Sequence, residues 1–439
     1  MNLEQIKHNM VQVILQFAIP SIIAMVLTSL ITIADGFFIG NYVGEGGIAA
    51  INLGLPILYL YLAVGLMLSV GGMAIAGMLL GSGDTKKCND AFNQTMVTVV
   101  VITFALSILF AVFFNPTMKL LHVDEQLTGY FKDYYGIMLI GLPVMVINSS
   151  FGMFIRGEGN PQFFMKVSIF NVVCNIILDY LFVRWFYWGV KGIAFASLIA
   201  MVLELLCIIY YFIKKAKVYS FAKFTFSKDV MQRMILNGSS EFIGEMSMCI
   251  SMFAYNVVIL KHIGIDGVAA FTIVGYVAYL FSMIIVGFGQ GASPLISFTY
   301  GAQEKRTAIA IRKKTNFFVF AIGVVFMIAM ICGSGWYSRA FVKSETVSNM
   351  VHSGIIIFVF SFLFSGINTI TSFYFTSIGK AKESAIISSA RGLVVLLICI
   401  MIFPVIWGIT GVWLVSLVTE SITIVISMYF IYHSDRKEV

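Results

Sequence analysis

Six carboxylates interrupt long apolar stretches of this chain, and packing alone does not explain them. They are Asp35, Asp179, Glu204, Glu241, Glu245 and Glu420. An ionised carboxylate inside hydrocarbon costs several kcal/mol unless it is paired, neutralised or hydrated. Buried acids can bind protons or cations, or they can pair with basic groups, so each of the six is a candidate functional residue.

Two of these acids have further oxygen donors near them. Asn171, Asn175 and Asp179 are spaced i, i+4, i+8, which predicts one helix face. Asp35 and Ser197 fall at a comparable depth in their own apolar stretches. Two carboxylates with an amide and a hydroxyl suit Na⁺, or the two acids can share a proton. We therefore predict a cation-coupling (H⁺ or Na⁺) site at Asp35, Asn175, Asp179 and Ser197. In the alternative interpretation, Asp35 meets water and the asparagines join helices.

The remaining acids and one proline have less specific surroundings. Glu241 and Glu245 lie one turn apart near the inner end of their apolar stretch. They would either face a cleft, as substrate-binding acids, or be hydrated from the cytoplasm at the inner rim. We interpret Glu204 and Glu420 as structural and expect Glu420→Gln to have a mild effect. Pro20 predicts a bend below Asp35, either mobile or a static kink.

The elements that position these residues are membrane-spanning helices. Hydrophobic residues make up 59% of the 439 residues and charged residues 11%, against roughly 25% charged in a soluble domain. Stretches of about 20 apolar residues can cross roughly 30 Å of hydrocarbon as helices. The sequence predicts an all-α integral membrane protein with spans at 13–40, 50–80, 93–114, 131–155, 163–187, 190–213, 233–260, 268–300, 314–335, 351–376, 384–407 and 410–432.

The distribution of basic residues predicts the orientation in the membrane. With the N-terminus inside, about three quarters of the 28 lysines and arginines fall on the inner side. The outer side keeps Lys119, Lys132, Arg184, Lys191, Lys261, Arg339 and Lys343. We expect a multi-pass protein of the cell (plasma) inner membrane with both termini cytoplasmic. The net charge of +7 then reflects loops that touch membrane lipid, and no nucleic-acid partner is expected.

An internal repeat organises the spans. Gly44-Glu45-Gly46-Gly47-Ile48-Ala49-Ala50 recurs as Gly264-Ile265-Asp266-Gly267-Val268-Ala269-Ala270, and the segment 189–192 with Ser197 matches 408–411 with Ser416. Each half carries six spans, so the halves are parallel repeats in one orientation. The predicted domains are an N-terminal six-helix bundle (1–213), a cytoplasmic linker (214–230) and a C-terminal six-helix bundle (231–439). Two pseudo-symmetric bundles around a central cleft favour a transporter with alternating access over a pore or receptor.

The predicted cation site occurs in only one of the two repeats. The repeat aligns Asp35 with Tyr255, and it aligns Asn171, Asn175 and Asp179 with Ala390, Val394 and Ile398. A group required only for folding should recur in both copies. We therefore interpret this polar cluster as functional.

At this point the chain resembles the multidrug and toxic-compound extrusion (MATE) transporters over essentially its whole length. The resemblance rests on Pro20 with Asp35, the Gly44–Ala50 turn, Arg156-Gly157-Glu158-Gly159-Asn160-Pro161, and Asn175-x-x-x-Asp179 followed by Ser197. It is strongest to bacterial DinF-like members, and it implies antiport of amphipathic, often cationic drugs against H⁺ or Na⁺.

The resemblance also implies residue roles. Cation coupling falls on Asp35, Asn175, Asp179 and Ser197, and the fourth-span asparagine of the family falls on Asn148, so that Asn148 and Asn171 are supporting polar residues. The NorM-like branch uses an acidic pair in its second bundle. Here the tenth span (362–377) has no carboxylate, and Glu245 lies about a turn from the expected position.

Two other functions are compatible with parts of the sequence. A lipid-linked precursor flippase would share the two-bundle plan, but basic residues should line its cavity, and here nearly all lie in predicted loops. An intramembrane aspartyl protease would need Asp35 and Asp179 in Tyr-Asp and Gly-x-Gly-Asp motifs, but Asp179 precedes Tyr180, and Gly-x-Gly-Asp occurs only at 81–84 in a predicted loop. We expect a monomer that is not an enzyme, with small amphipathic substrates and no cofactor or metal except the coupling ion.

Overall fold

The computed structural model describes residues 2–342 and 344–438, and these residues form helices and connecting turns without a β-strand. The side chains of residues 437 and 438 are not described. Lys343, which the charge pattern assigns to the outer side, lies outside the described residues. The fold class predicted from sequence is confirmed: the protein is all-α, with two six-helix bundles.

The N-terminal half contains the first six spanning helices. They are α1 (Met10–Tyr42), α2 (Leu55–Gly81), α3 (Thr85–Val112), α4 (Glu125–Glu158), α5 (Pro161–Asp179, continued by a π-helical turn Tyr180–Trp185) and α6 (Gly189–Lys214). Short helices precede α1 (Leu3–His8), connect α1 to α2 (Glu45–Leu53) and connect α3 to α4 (Phe114–Leu120).

The C-terminal half contains the other six spanning helices. They are α7 (Lys228–His262), α8 (Ile265–Gly301), α9 (Lys305–Phe341), α10 (Glu345–Phe358, Val359–Ser361, Phe362–Ser377), α11 (381–407, with a π-helical turn Ala390–Val394) and α12 (409–438). The division between α11 and α12 lies at Gly408, whose backbone is not helical (φ 57°, ψ −134°). Without this break, the 56 residues of Ala381–Arg436 would form a helix of about 84 Å, far longer than a bilayer is thick.

The repeat seen in the sequence corresponds to a repeat of backbone conformation. Gly44 and Gly264 end the connection after α1 and α7 with φ of 101° and 98°. Gly189 and Gly408, before α6 and α12, have φ of 56° and 57°. These angles strongly favour glycine, because a Cβ atom is strained there. The two halves therefore use the same residues to turn the chain at equivalent points.

The segment between the halves is ordered and packs on the N-terminal half. The side chain of Asn93 donates to the carbonyl of Ser220, and Gln94 bonds both the N–H and the C=O of Ser227. Tyr219 is 1% exposed and packs against Phe92. Sequence analysis predicts a cytoplasmic linker here, and in the structure Tyr219 and two amide side chains hold the segment against α3.

The two halves touch through glycines, which allow their helices to come very close together. An ideal Cβ atom on Gly238 of α7 would lie 1.7 Å from the carbonyl oxygen of Met67 on α2. A Cβ atom on Gly291 of α8 would lie 2.8 Å from the Cα atom of Ala18 on α1. An ideal Cβ atom on Gly71 of α2 would lie 3.0 Å from the backbone nitrogen of Gly238. Residues 18 and 238 are equivalent in the repeat, as are 71 and 291, so the 71–238 and 18–291 contacts are related by the pseudo-twofold axis. We call this region, where α2 crosses α7 and α1 crosses α8, the closed end.

Candidate cation-coupling site

Three helices bring the predicted cation ligands together. Asp35 comes from α1, Asn175 and Asp179 from α5, and Ser197 from α6. The Ser197 hydroxyl donates to Asp35 Oδ2 (3.4 Å), and Asn175 Nδ2 donates to Ser197 Oγ (3.2 Å). The carboxyl groups of Asp35 and Asp179 are close enough to interact directly with each other. All four residues of the sequence prediction are therefore neighbours.

This group of side chains has more acceptors than donors. Asp179 is 0% exposed, and neither of its carboxyl oxygens receives a hydrogen bond from a donor of the described residues; the same is true of Asp35 Oδ1 and Asn175 Oδ1. Buried polar atoms are nearly always satisfied in native proteins. Two facing carboxylates can be hydrogen-bonded only if one carries a proton, and otherwise a cation must lie between them.

The oxygen atoms of this group fit a monovalent hard cation. Carboxylate, amide and hydroxyl oxygens are the ligands that such cations prefer. Within the described part of the chain, no group of three or more His, Cys, Asp or Glu side chains is arranged to hold a metal ion. Asp35, Asp179, Asn175 and Ser197 would hold Na⁺, or the two acids would hold a proton.

An apolar and aromatic layer surrounds the site. Tyr134 of α4 lies within electrostatic range of both Asp35 and Asp179. The buried side chains Phe38, Ile39, Val183 and Ile193 pack together beyond Asp35, with Tyr134 against them. Sequence analysis missed Tyr134, because one tyrosine among 19 in apolar segments carries no distinguishing signal.

Asn148 and Asn171 lie in a different cluster from the one predicted. Asn171 Nδ2 donates to Glu204 Oε2 (2.8 Å), and Asn148 Nδ2 donates to the same oxygen (3.0 Å) and to the carbonyl of Met201 (2.8 Å). Glu204 is 6% exposed. The two asparagines therefore support Glu204 and not the Asp35–Asp179 pair.

The C-terminal half contains an equivalent of this second cluster. Asn368 Nδ2 donates to Glu420 Oε2 (2.7 Å), and Arg391 donates to Glu420 Oε1 from Nε (3.2 Å) and Nη2 (2.7 Å). Arg391 also bonds the hydroxyls of Ser365 and Thr369. The charge count assigned Arg391 to the inner side; in the structure it lies within α11 and neutralises Glu420 inside the bundle.

Glu241 and Glu245 lie near the middle of α7, not near its end as predicted, and both are half-buried. Glu245 is within electrostatic range of Tyr59 on α2, which also faces Tyr279 of α8. Because α2 belongs to the other half, Glu245 lies between the two bundles. Glu241 is within range of Glu245 and Arg391.

Pro20 is buried within α1, and the helix continues through it to Tyr42. It lies about 22 Å along the helix from Asp35. It lines a cavity of about 940 Å³ together with Gln16, Met165 and Lys314. The structure therefore places Pro20 at the opposite end of α1 from the cation site.

Three arginines are inside the bundles, which sequence analysis did not anticipate. Arg312 is 2% exposed and makes a bidentate pair with Asp435 (2.8 Å for both bonds). Arg391 is paired with Glu420. Arg156 is 1% exposed and donates to Gln290 of the other half (2.9 Å). Two of the three are neutralised by an acid and the third is bonded to a glutamine, so they do not form the basic cavity that a flippase would need.

Comparison with known proteins agrees with this architecture. The multidrug export protein MepA of Staphylococcus haemolyticus is 23% identical over 433 residues, 95% of this chain and 92% of the relative. MepA of Staphylococcus aureus is also 23% identical, covering 97% and 94%.

Solved structures of similar fold cover almost the whole chain. One is an outward-facing multidrug resistance MATE transporter of the MOP superfamily (TM-score 0.91, 22% identity, 97% of this chain and 96% of that chain). Another is a mutant of the Vibrio cholerae MATE transporter VcmN (TM-score 0.92, 17% identity, 97% of both chains). The MatE family model matches twice, at residues 20–181 and 242–401. Because these matches cover most of the chain, it belongs to the MatE family of multidrug and toxic-compound extrusion transporters and is not an enzyme.

Proposed function

We propose that this transporter is a secondary active antiporter that exports amphipathic organic cations in exchange for H⁺ or Na⁺ by alternating access. The observation that carries the proposal is the Asp35–Asp179 pair with Asn175, whose four buried acceptor oxygens lack a donor among the described residues. An exchangeable cation supplies the missing positive charge. The coupling ion is the only cofactor in this proposal.

The space between the halves supports a cationic substrate. Glu245 brings a carboxylate into electrostatic range of Tyr59, which also lies near Tyr279, and aromatic faces attract organic cations. The MepA relatives are named multidrug export proteins. A substrate held by one acid and by polarisable walls can vary in shape, which suits export of diverse compounds.

Competition between substrate and coupling ion would link the two sites. An ion at Asp35 and Asp179 changes the charge on α1 and α5, and α1 is one of the two helices of its half that contact the other half at the closed end. Ion binding shifts the equilibrium between two conformations only to the extent that the ion binds one of them more tightly than the other. We propose that the protein acts as a monomer in the plasma membrane, with both termini cytoplasmic.

Transport in proteoliposomes with independently imposed Na⁺ and pH gradients tests this function. Export of a fluorescent organic cation should follow one gradient, and Asp35→Asn and Asp179→Asn should each abolish it. Asp266→Asn, at an exposed position near the start of α8, is the matched control. Gradient-driven export that persists in both aspartate variants at wild-type protein level would refute the assignment.

A further inference from the structure

The second polar cluster occurs in both halves, but with a different charge in each. Asn148 and Asn368 are 220 residues apart, and both donate to a glutamate on the last helix of their half. Asn171 and Arg391 are also 220 residues apart, and both donate to the same glutamates, so the hydrogen bonds pair Asn171 with Arg391 and not with Ala390, its partner in the sequence alignment. We call these groups the N triad (Asn148, Asn171, Glu204) and the C triad (Asn368, Arg391, Glu420). The two halves share one scaffold, so the N triad and the C triad can be compared residue by residue. The main difference is that Asn171 occupies the position that Arg391 has in the C-terminal half.

Every polar group of the C triad is satisfied. Glu420 Oε1 receives two hydrogen bonds from Arg391, and Oε2 receives one from Asn368. The remaining acceptor, Asn368 Oδ1, receives the hydroxyl proton of Ser427 (2.9 Å). The glutamate and the arginine cancel in charge, so this cluster needs no exchangeable ion.

The N triad has one positive charge and one donor fewer. Both asparagines donate to Glu204 Oε2, and Oε1 receives no hydrogen bond from the described residues. Asn148 Oδ1 is buried without a donor. Tyr211 stands at the spacing from Glu204 that Ser427 has from Glu420, but its hydroxyl donates to Glu158 (3.1 Å).

No other charged group near the N triad supplies the missing charge. On α4, the next basic residue toward the closed end is Arg156, two turns below Asn148 and bonded to Gln290. On α5, Lys166 is exposed, and the thiols of Cys174 on α5 and Cys207 on α6 lie within electrostatic range of each other. Within the described residues Glu204 has no ionic partner.

We propose that the N triad binds a second monovalent cation, a proton or Na⁺, with Glu204 as the binding carboxylate. Ser197 and Glu204 are seven residues apart on α6, so the second site lies about 10 Å below the first. Asn175 serves the first site and Asn171, one turn away on α5, serves the second. The proposal deepens the antiport function and rests on it.

The test counts the ions that bind when the substrate leaves. Purified protein in weakly buffered detergent solution with a pH dye reports protons taken up on substrate displacement, and equilibrium dialysis at fixed pH reports bound Na⁺. We expect Glu204→Gln to lower the count of the coupling ion by about one per protein while substrate still binds. Asp35→Asn should remove the ion of the first site independently.

A second variant covers the case in which Glu204→Gln does not fold. Asn171→Arg copies the C triad, so it should neutralise Glu204 permanently and remove the same ion. Wild-type counts of both H⁺ and Na⁺ in either folded variant would overturn the proposal. Such counts would mean that Glu204 contributes no exchangeable ion, for example because it is always protonated. If the Glu204 variants keep wild-type counts but Asp35→Asn loses one ion, only the second site is refuted and coupling at the first site stands. If Asp35→Asn also keeps wild-type counts, the proposed antiport function itself is refuted.

Discussion

Substitution of Gly238 by alanine tests whether the closed end must open and close during transport. A methyl group there would lie 1.7 Å from the Met67 carbonyl oxygen on α2. An ordinary contact needs about 3.5 Å, so α2 and α7 must separate by roughly 1.5–2 Å. Because the neighbouring atoms are backbone and not a flexible side chain, the strain has to be relieved by moving the two halves apart.

The expected size follows from the cost of overpacking. Extra methylenes in a tightly packed core typically cost about 1–3 kcal/mol. That strain exists only in the conformation in which the closed end is closed, so the population shifts toward the open conformation by about 5- to 150-fold. We expect Gly238→Ala to lower the export rate strongly while leaving expression and ion binding near wild type.

Distance measurements between the halves provide the assay. Spin-labelled unnatural amino acids at the exposed positions 86 and 306, in the first turns of α3 and α9, spare the six native cysteines. Gly238→Ala should lengthen the 86–306 distance. Gly244→Ala on the same helix is the control, because a methyl group there meets nothing within 4 Å. An unchanged distance in Gly238→Ala, or an equal change in Gly244→Ala, would refute the reasoning.

Three further predictions concern other contacts. Glu420→Gln should leave Arg391 without its carboxylate partner and cost about 3 kcal/mol, seen as a lower Tm; a mild effect would contradict the ion pair. The ammonium group of Lys7 holds the pKa of Glu304 below its ordinary value, and Glu304 raises the pKa of Lys7. This contact should therefore persist between the lowered pKa of Glu304 and the raised pKa of Lys7, and it should weaken as the pH falls through the lowered pKa; label distances between positions 5 and 306 measure it. Tyr219→Ala should cost about 3–4 kcal/mol and increase proteolysis of the 215–227 segment, whereas Tyr219→Phe should not.

The site at Asp35 was predictable, and the role of Asn171 was not, for a geometric reason. Polar residues in apolar stretches stand out in any sequence, so Asp35, Asn175, Asp179 and Ser197 could be found without a structure. Each step of four residues, however, rotates a helical side chain by about 40°, so Asn171 points roughly 80° away from Asp179. This rotation directs Asn171 to Glu204, and sequence spacing over two turns does not resolve it.

The position of Arg391 inside the bundle could not be predicted from sequence, because it depends on tertiary contacts. Counting basic residues by loop works because most of them lie in loops, but Arg391 belongs to the π-helical turn Ala390–Val394 inside α11. Its partner Glu420 is on the next helix, 29 residues later. Neither residue carries a local pattern that predicts the pair, and for this reason Glu420 appeared dispensable from sequence.

The differences between the two halves suggest how ion binding and substrate binding are divided. The C-terminal half fixes Glu420 with an internal arginine, whereas the N-terminal half holds Asp35, Asp179 and Glu204 without a basic partner among the described residues. We infer that the free energy of the ion gradient enters through the N-terminal half, while Glu245 contributes to substrate binding from the other half. Coupling must then cross the closed end, because there the backbones of the two halves are in direct contact. If so, strain at that contact disconnects the two sites without altering either one, and export is lost even though ion and substrate still bind.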